Sequence, residues 1–146
     1  MKIRIMMTVF SIFLLWHGNA FGKTLHVPGD YSLIQAAIAS ASNGDTVLVG
    51  DGTYKGPGNS NLDLMGKAIL LKSENGPEKC IIDSQGSSRG IYFRNNEGTN
   101  TVVSGFTIIN GYAPLGGGIY CLGASPTVSN CRIIGNTADF GGGGIA

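Results

Sequence analysis

Carboxylates are the residues of this chain with the most informative chemistry, because grouped acidic oxygens bind Ca²⁺ and a spaced pair hydrolyses a glycosidic bond. Calcium takes about 6–8 oxygen ligands, and the paired acids of glycosidases lie about 5–9.5 Å apart. Beyond residue 56 the acids are Asp63, Glu74, Glu78, Asp83, Glu97 and Asp139. They are well separated along the chain, so a site needs a fold that stacks distant segments on one another.

Aromatic and basic side chains offer a second kind of chemistry, contact with saccharides. Tyr92 and Tyr120 each follow a Gly-Ile pair. If these tyrosines point outward they could stack on sugar rings, and if they point inward they belong to the core, which is the interpretation we favour. Arg94 could contact a glycan beside them or, like Arg89 and Arg132, abstract a proton. For all three arginines we favour solvated positions on the outer surface.

The three cysteines are Cys80, Cys121 and Cys131. A disulfide between Cys121 and Cys131 is possible if their Cα atoms approach within about 7 Å, and both positions also suit small buried hydrophobic residues. The cysteine spacings match no metal-ligand pattern, and His26 is the single histidine that follows the first 22 residues. We therefore expect no metal site and no cofactor.

Residues 1–22 predict a secretory signal peptide. A basic start precedes an apolar run over 5–16, and small and polar residues follow. The run is shorter than the ~20 residues that a membrane-spanning helix needs. Cleavage fits after Ala20 and after Gly22, and a retained N-terminal anchor helix is the alternative. We expect an exported protein, secreted or at the cell surface, with no transmembrane helix after signal removal.

Composition indicates one small, turn-rich domain. The chain has 146 residues, of which 24 are Gly and 42% are hydrophobic, and its net charge is +1. This hydrophobic content argues against disorder, since the chain can bury enough apolar surface to offset its ordering entropy. The near-neutral charge lacks the basic surface that nucleic-acid binding requires, so no nucleic-acid partner is expected.

Residues 23–56 predict an N-terminal cap made of a helix and a first strand. Ser32 and Gln35 have the spacing of a capping box. The apolar residues that follow recur at helical spacing and predict a helix over about 33–42. We expect this amphipathic helix to cover the open apolar end of the first coil.

Residues 57–146 contain short apolar segments that recur every 25–28 residues. The aligned triplets are Ile81-Ile82-Asp83 with Ile108-Ile109-Asn110 and Ile133-Ile134-Gly135, and Gly90-Ile91-Tyr92 with Gly118-Ile119-Tyr120 and Gly144-Ile145-Ala146. Each repeat has three strand-length segments, turn residues between them and no helix signal. This pattern predicts an all-β solenoid, a parallel β-helix whose coils stack about 4.8 Å apart. We expect Ile82, Ile109 and Ile134 to lie directly over one another.

Motifs in both parts of the chain carry a resemblance to a known family. They are Tyr31–Ile38, Gly44–Val49 and Gly52–Tyr54 in the cap, and Gly105–Gly111, Gly116–Tyr120 and Ser125–Cys131 in the repeats. The cap motifs resemble the N-terminal cap of the pectin-lyase-like superfamily of right-handed parallel β-helices. The repeat motifs are similar to those of secreted bacterial β-helix proteins, including the polymorphic outer-membrane type. The resemblance implies a right-handed coil.

The superfamily includes lyases that bind Ca²⁺ through acids on adjacent coils and hydrolases that use neighbouring aspartates. Here no predicted column stacks two acids, because Asp83 is followed by Asn110 and Gly135. Asp139-Phe140 is similar to the Asp-Phe pair of the superfamily's esterases, but no second aspartate is in register, so we interpret Asp139 as a turn residue. We expect no catalytic site within this sequence.

We therefore expect an exported repeat scaffold that contacts polysaccharide or a host or cell-surface glycan, as an adhesin does, with Tyr92, Tyr120 and Arg94 as candidate contacts. The alternative is the N-terminal part of a polysaccharide lyase or glycoside hydrolase acting on pectin-like or other acidic polysaccharide. Its catalytic coils would follow Ala146, and Ca²⁺ would be needed only there. Since the last residues begin a strand column and no polar cap follows, we expect a C-terminally incomplete β-helix. The sequence leaves the oligomeric state open.

Overall fold

The computed structural model describes residues 22–146, and the predicted signal peptide lies outside the described residues except for Gly22. The described chain forms short strands and one short helix, and all of its strand pairs are parallel. Its largest sheet stacks five strands, one from each successive turn. The chain is therefore a parallel β-solenoid, as predicted. It has about five turns. Within the described residues, no helix has the length and apolarity to cross a bilayer.

The strands are only two to four residues long. They are β1 (Thr24–Val27), β2 (Thr46–Val49), β3 (Gly52–Lys55), β4 (Leu62–Asp63), β5 (Leu70–Ser73), β6 (Cys80–Asp83), β7 (Ile91–Phe93), β8 (Val102–Ser104), β9 (Thr107–Ile109), β10 (Tyr112–Ala113), β11 (Ile119–Cys121), β12 (Thr127–Ser129), β13 (Arg132–Ile134) and β14 (Thr137–Ala138). The helix α1 (Ile34–Ser40) lies between β1 and β2.

Successive turns place equivalent strands in the same sheet. The sheet orders are β1-β2-β5-β8-β12, β3-β6-β9-β13, β4-β7-β11 and β10-β14. The first three sheets correspond to the three predicted strands of each repeat. The β10-β14 pair was not predicted, because two-residue strands are too short to show an alternating pattern.

One of the two predicted columns is confirmed, and the other is shifted at one step. Ile91, Ile119 and Ile145 pair in one column. Ile134 pairs with Ile109 as expected, but Ile82 pairs with Ile108, so the straight Ile82-Ile109-Ile134 column was wrong by one residue at its first step.

Burial explains the shift. Ile82 and Ile108 are both fully buried, whereas Ile109 is only partly buried. Side chains of a strand alternate between its two faces, so a one-residue offset would place an inward residue over an outward one. The repeat length alone could not show this, because the loop between the two strands absorbs the extra residue.

The interior is a single apolar cluster that runs along the coil. Its largest fully buried side chains include Phe93, Phe106 and Ile119. At the N-terminal end, Ile34 and Ile38 of α1 are buried in the same cluster. The predicted capping role of this helix is confirmed, since α1 covers the apolar end of the first turns.

The helix α1 is shorter than the predicted 33–42, and the predicted capping box does not form. Leu33 is the N-cap residue and no side chain of the motif caps the helix. The first helical N–H groups instead bond to a distant loop: Ile34 N donates to Asn59 Oδ1 (3.1 Å) and Gln35 N donates to the Gly58 carbonyl (2.9 Å). The backbone donors are thus satisfied without the local motif.

The side chain of Gln35 does not cap the helix but covers the exposed edge of β4. Its Nε2 donates to the Asp63 carbonyl (3.0 Å) and its Oε1 accepts from Asp63 N (2.9 Å), as a neighbouring strand would. At the other end of the helix, Lys67 Nζ donates to the carbonyl groups of Ile38 and Ala39. These contacts fix α1 on the end of the coil and satisfy groups that an uncovered edge would leave unpaired.

Candidate functional site

Five side chains meet on the outer face of the β4-β7-β11 sheet: Asp63, Arg89, Tyr92, Arg94 and Tyr120. We call this group the tyrosine–arginine patch. Tyr92 lies between two fully buried residues of β7, so its own side chain must point away from the core. The core position that we favoured for the two tyrosines was therefore wrong.

The two tyrosine rings form a stacked pair across neighbouring turns. Tyr92 and Tyr120 are direct partners in the parallel register, their ring centroids are 5.5 Å apart and their planes differ by 18°. Each ring thus covers one face of the other. On the far side of Tyr120 the column continues with Ala146, which is hydrogen-bonded to β11 and has only a methyl group. A methyl group is too small to cover that side of the Tyr120 ring, and Tyr120 is partly exposed.

Arg94 is held by its neighbours on the patch. Its Nε lies 2.8 Å from Asp63 Oδ2, and its guanidinium carbon lies 5.0 Å from the centre of the Tyr92 ring. Asn95 Nδ2 donates to the other Asp63 oxygen at 3.1 Å. The predicted outer-surface position of Arg94 is confirmed, and Asp63 fixes the orientation of its side chain.

Arg89 lies against both rings. Its guanidinium carbon is 4.4 Å from the centre of Tyr92 and 5.2 Å from that of Tyr120, within the range of a cation–π interaction. Its Nη2 donates to the Leu115 carbonyl at 3.3 Å. Arg89 is half-buried rather than fully solvated as predicted, because its guanidinium lies against the stacked rings.

Most of the acids beyond the patch have structural hydrogen bonds. Glu97 is buried and its two oxygens accept from the N–H groups of Gly66 and Asn95. Asp45 accepts from two further backbone N–H groups. Within residues 22–146, no group of three or more His, Cys, Asp or Glu side chains is arranged to hold a metal ion.

The side chains of Asp83 and Asn110 meet at the end of their strands. Asn110 Nδ2 donates to Asp83 Oδ1 at 2.9 Å, and this hydrogen bond is the main cause of the lowered pKa of Asp83. The Gln85 N–H and the Lys55 ammonium lower it further. The pKa of Asp45 is also lowered, chiefly by the Ser42 N–H.

Acid should therefore weaken the fold through these carboxylates. The folded pKa values of both carboxyl groups lie below the ordinary value for aspartate. Their stabilisation is therefore present above the unfolded pKa and is lost as pH falls through the unfolded pKa toward the lower folded pKa. Below about pH 5 we expect the urea concentration at the unfolding midpoint to decrease as pH falls. The decrease should be less steep in Asp83→Asn. Urea titrations from pH 7 to pH 2 measure this, and equal slopes for both proteins would contradict it.

The three cysteines are free thiols in the structure. Cys121 lies in β11 and Cys131 directly precedes β13, so the two belong to different sheets and the possible disulfide is not formed. Both pack against the core as small hydrophobic residues, and burial raises their pKa values. Burial also raises the pKa of Cys80 to about 12, which makes this thiol unreactive at neutral pH.

The structure brings Tyr92, Tyr120 and Arg94 together, as the sequence pattern suggested. Sequence analysis missed Asp63 and the contact of Arg89 with both rings. The separation of Asp63 from Arg94 is 31 residues, longer than one repeat, so periodicity gave no signal for that pair. Asp139, interpreted as a turn residue, accepts a hydrogen bond from Tyr112 Oη at 2.9 Å.

No protein-family model, curated protein or solved structure matches this chain.

Proposed function

We propose that this protein is an exported β-helix scaffold that contacts saccharide chains, of polysaccharide or of cell-surface glycans, through the tyrosine–arginine patch. The observation that carries the proposal is the stacked, outward-facing Tyr92–Tyr120 pair with arginines against it. Export is supported by the apolar run at residues 5–16. The resemblance to secreted β-helix proteins fits the same proposal.

The chemistry of the patch suits a sugar ring. A pyranose has an apolar C–H face that packs on an aromatic ring, and its hydroxyl groups accept hydrogen bonds from guanidinium N–H groups. The open side of Tyr120 offers the ring surface, while Arg89 beside Tyr120 and Arg94 beside Tyr92 supply donors. One sugar residue bound on Tyr120 would therefore have both kinds of contact.

Within residues 22–146, the acids serve structural contacts rather than the chemistry of a lyase or hydrolase. Asp45, Asp83 and Glu97 accept hydrogen bonds from backbone N–H groups, and Asp63 fixes Arg94. In this range no three His, Cys, Asp or Glu side chains are grouped to bind Ca²⁺. This part of the chain therefore supports the contact function, whereas the rival places its catalytic coils after Ala146.

Binding measurements with a tyrosine variant and a surface control variant test the proposal. We expect the full chain to bind β-1,4-linked glucan or α-1,4-linked galacturonan hexasaccharides in isothermal titration calorimetry, and Tyr120→Ala to bind about tenfold more weakly, because it removes the open ring. Ile134→Ala removes an exposed apolar side chain on a different sheet and should bind like wild type.

Two outcomes would contradict the proposal. One is equal binding by wild type and Tyr120→Ala, with thermal unfolding showing that both are folded. The other is formation of unsaturated product from polygalacturonate, with or without Ca²⁺, since a passive scaffold does not cleave its ligand.

A further inference from the structure

We propose that Arg89 binds an oxyanion on the saccharide, a carboxylate or a sulfate ester, so that the glycan recognised by the patch is anionic. This inference rests on the proposed saccharide contact and specifies which class of saccharide is preferred. Three features of Arg89 support it: its charge has no acidic partner, one of its N–H groups has no acceptor, and its position is beside the open tyrosine ring.

The first feature is the charge balance of the arginines. Among the described residues, Arg94 forms an ion pair with Asp63 and Arg132 forms one with Glu78 at 2.9 Å. Arg89 has no carboxylate within ion-pairing distance in the same part of the chain, although it is the most enclosed of the three. An anion at Arg89 would add a counter-charge to a half-buried guanidinium whose partners in the fold are the two tyrosine rings and the Leu115 carbonyl.

The second feature is its incomplete hydrogen bonding. The Nε–H of Arg89 is buried and has no acceptor, and Nη2 has only the 3.3 Å bond to the Leu115 carbonyl. A guanidinium has five N–H donors arranged in a planar fork that matches the geometry of an oxyanion. Because the Nε–H is enclosed by the protein, the donors that a ligand can reach are the remaining N–H groups of the two Nη atoms.

The third feature is the surface next to Arg89. A shallow depression there is also lined by Asn61, Ser87, Ser88 and Tyr112, and by no Asp or Glu. The Asn61 amide can donate to an anion, whereas the hydroxyl groups of Ser87, Ser88 and Tyr112 already donate within the fold, that of Tyr112 to Asp139. Since Arg89 also lies 5.2 Å from the centre of the Tyr120 ring, an anionic group at Arg89 would belong to a sugar at or next to the one on Tyr120.

Charge-matched ligands and a charge-matched control variant test the inference. The probes are neutral cellohexaose, hexagalacturonate for the carboxylate and a sulfated cellohexaose for the sulfate ester, each titrated into the full chain in a calorimeter. We expect at least one anionic probe to bind about tenfold more tightly than the neutral probe, with a preference that weakens as salt rises. The tighter of the two anionic probes identifies the group.

Arg89→Met should lose this preference: its affinity for the preferred anionic probe should fall about tenfold more than its affinity for cellohexaose, which loses only a neutral hydrogen bond from Arg89. Arg132→Met removes the same charge at a remote surface position and should keep the preference. Arg89→Lys should keep part of it, since lysine retains the charge but lacks the planar fork.

Failure of the inference differs from failure of the proposed function. Tyrosine-dependent binding of all three probes with equal affinity would overturn the oxyanion site and leave the saccharide contact standing. A preference for anions that survives in folded Arg89→Met would also overturn the site. Absence of binding to every probe would overturn both proposals.

Discussion

Phe93→Ala is expected to lower the free energy of unfolding by about 3–5 kcal/mol, the range for removing a buried phenylalanine ring. Phe93 is fully buried, and its register partner in the next turn is Cys121, a much smaller side chain. Each turn of the solenoid contributes few large core residues, so neighbouring side chains have little scope to close the cavity. Urea unfolding followed by circular dichroism measures the change.

Tyr92→Ala is the matched control, since it removes a ring of nearly the same size from the adjacent residue. Tyr92 faces outward and contacts Tyr120 and two arginines, so its loss should cost about 1 kcal/mol. Equal losses for the two variants would mean that β7 does not alternate between core and surface. The outward position of the tyrosine pair would then be wrong as well.

Gly111→Ala is expected to destabilise the fold by about 3 kcal/mol, at the upper end of the usual cost of overpacking. A Cβ atom at Gly111 would overlap the carbonyl oxygen of Gly117, which is backbone and cannot rotate away. Gly111 also donates its N–H to Asn136 Oδ1 at 2.7 Å, so any shift would break a contact between turns. Thermal unfolding of the purified variant measures the loss.

Gly98→Ala provides the comparison for this effect. A Cβ atom at Gly98 meets nothing within 4 Å, and its backbone is outside the left-handed region. Alanine there should be neutral or should stabilise the fold by about 0.4–1 kcal/mol, because it restricts the unfolded chain. If Gly111→Ala and Gly98→Ala change the stability equally, the close packing of turns at Gly111 does not explain why this residue is a glycine.

The patch and the core are linked by the same alternation. In β7, inward Ile91 and Phe93 hold the strand, and this requires Tyr92 to project into solvent. The strand-to-strand register then places Tyr120 over Tyr92 and both over Asp63. The proposed saccharide contact therefore depends on the register of the solenoid. The core variant Phe93→Ala tests the stability of the scaffold that holds this register.

The sequence determined the solenoid, the parallel stacking and the placement of Ile91 over Ile119, because side-chain alternation and a repeat near 25 residues are properties of the chain itself. It also indicated that Tyr92, Tyr120 and Arg94 belong together. Only the tertiary structure decided which way the tyrosines point, that Ile82 lies over Ile108, and that Gln35 covers the edge of β4. These outcomes depend on contacts between residues about one turn apart, whose register is set by loop lengths and burial rather than by any local pattern.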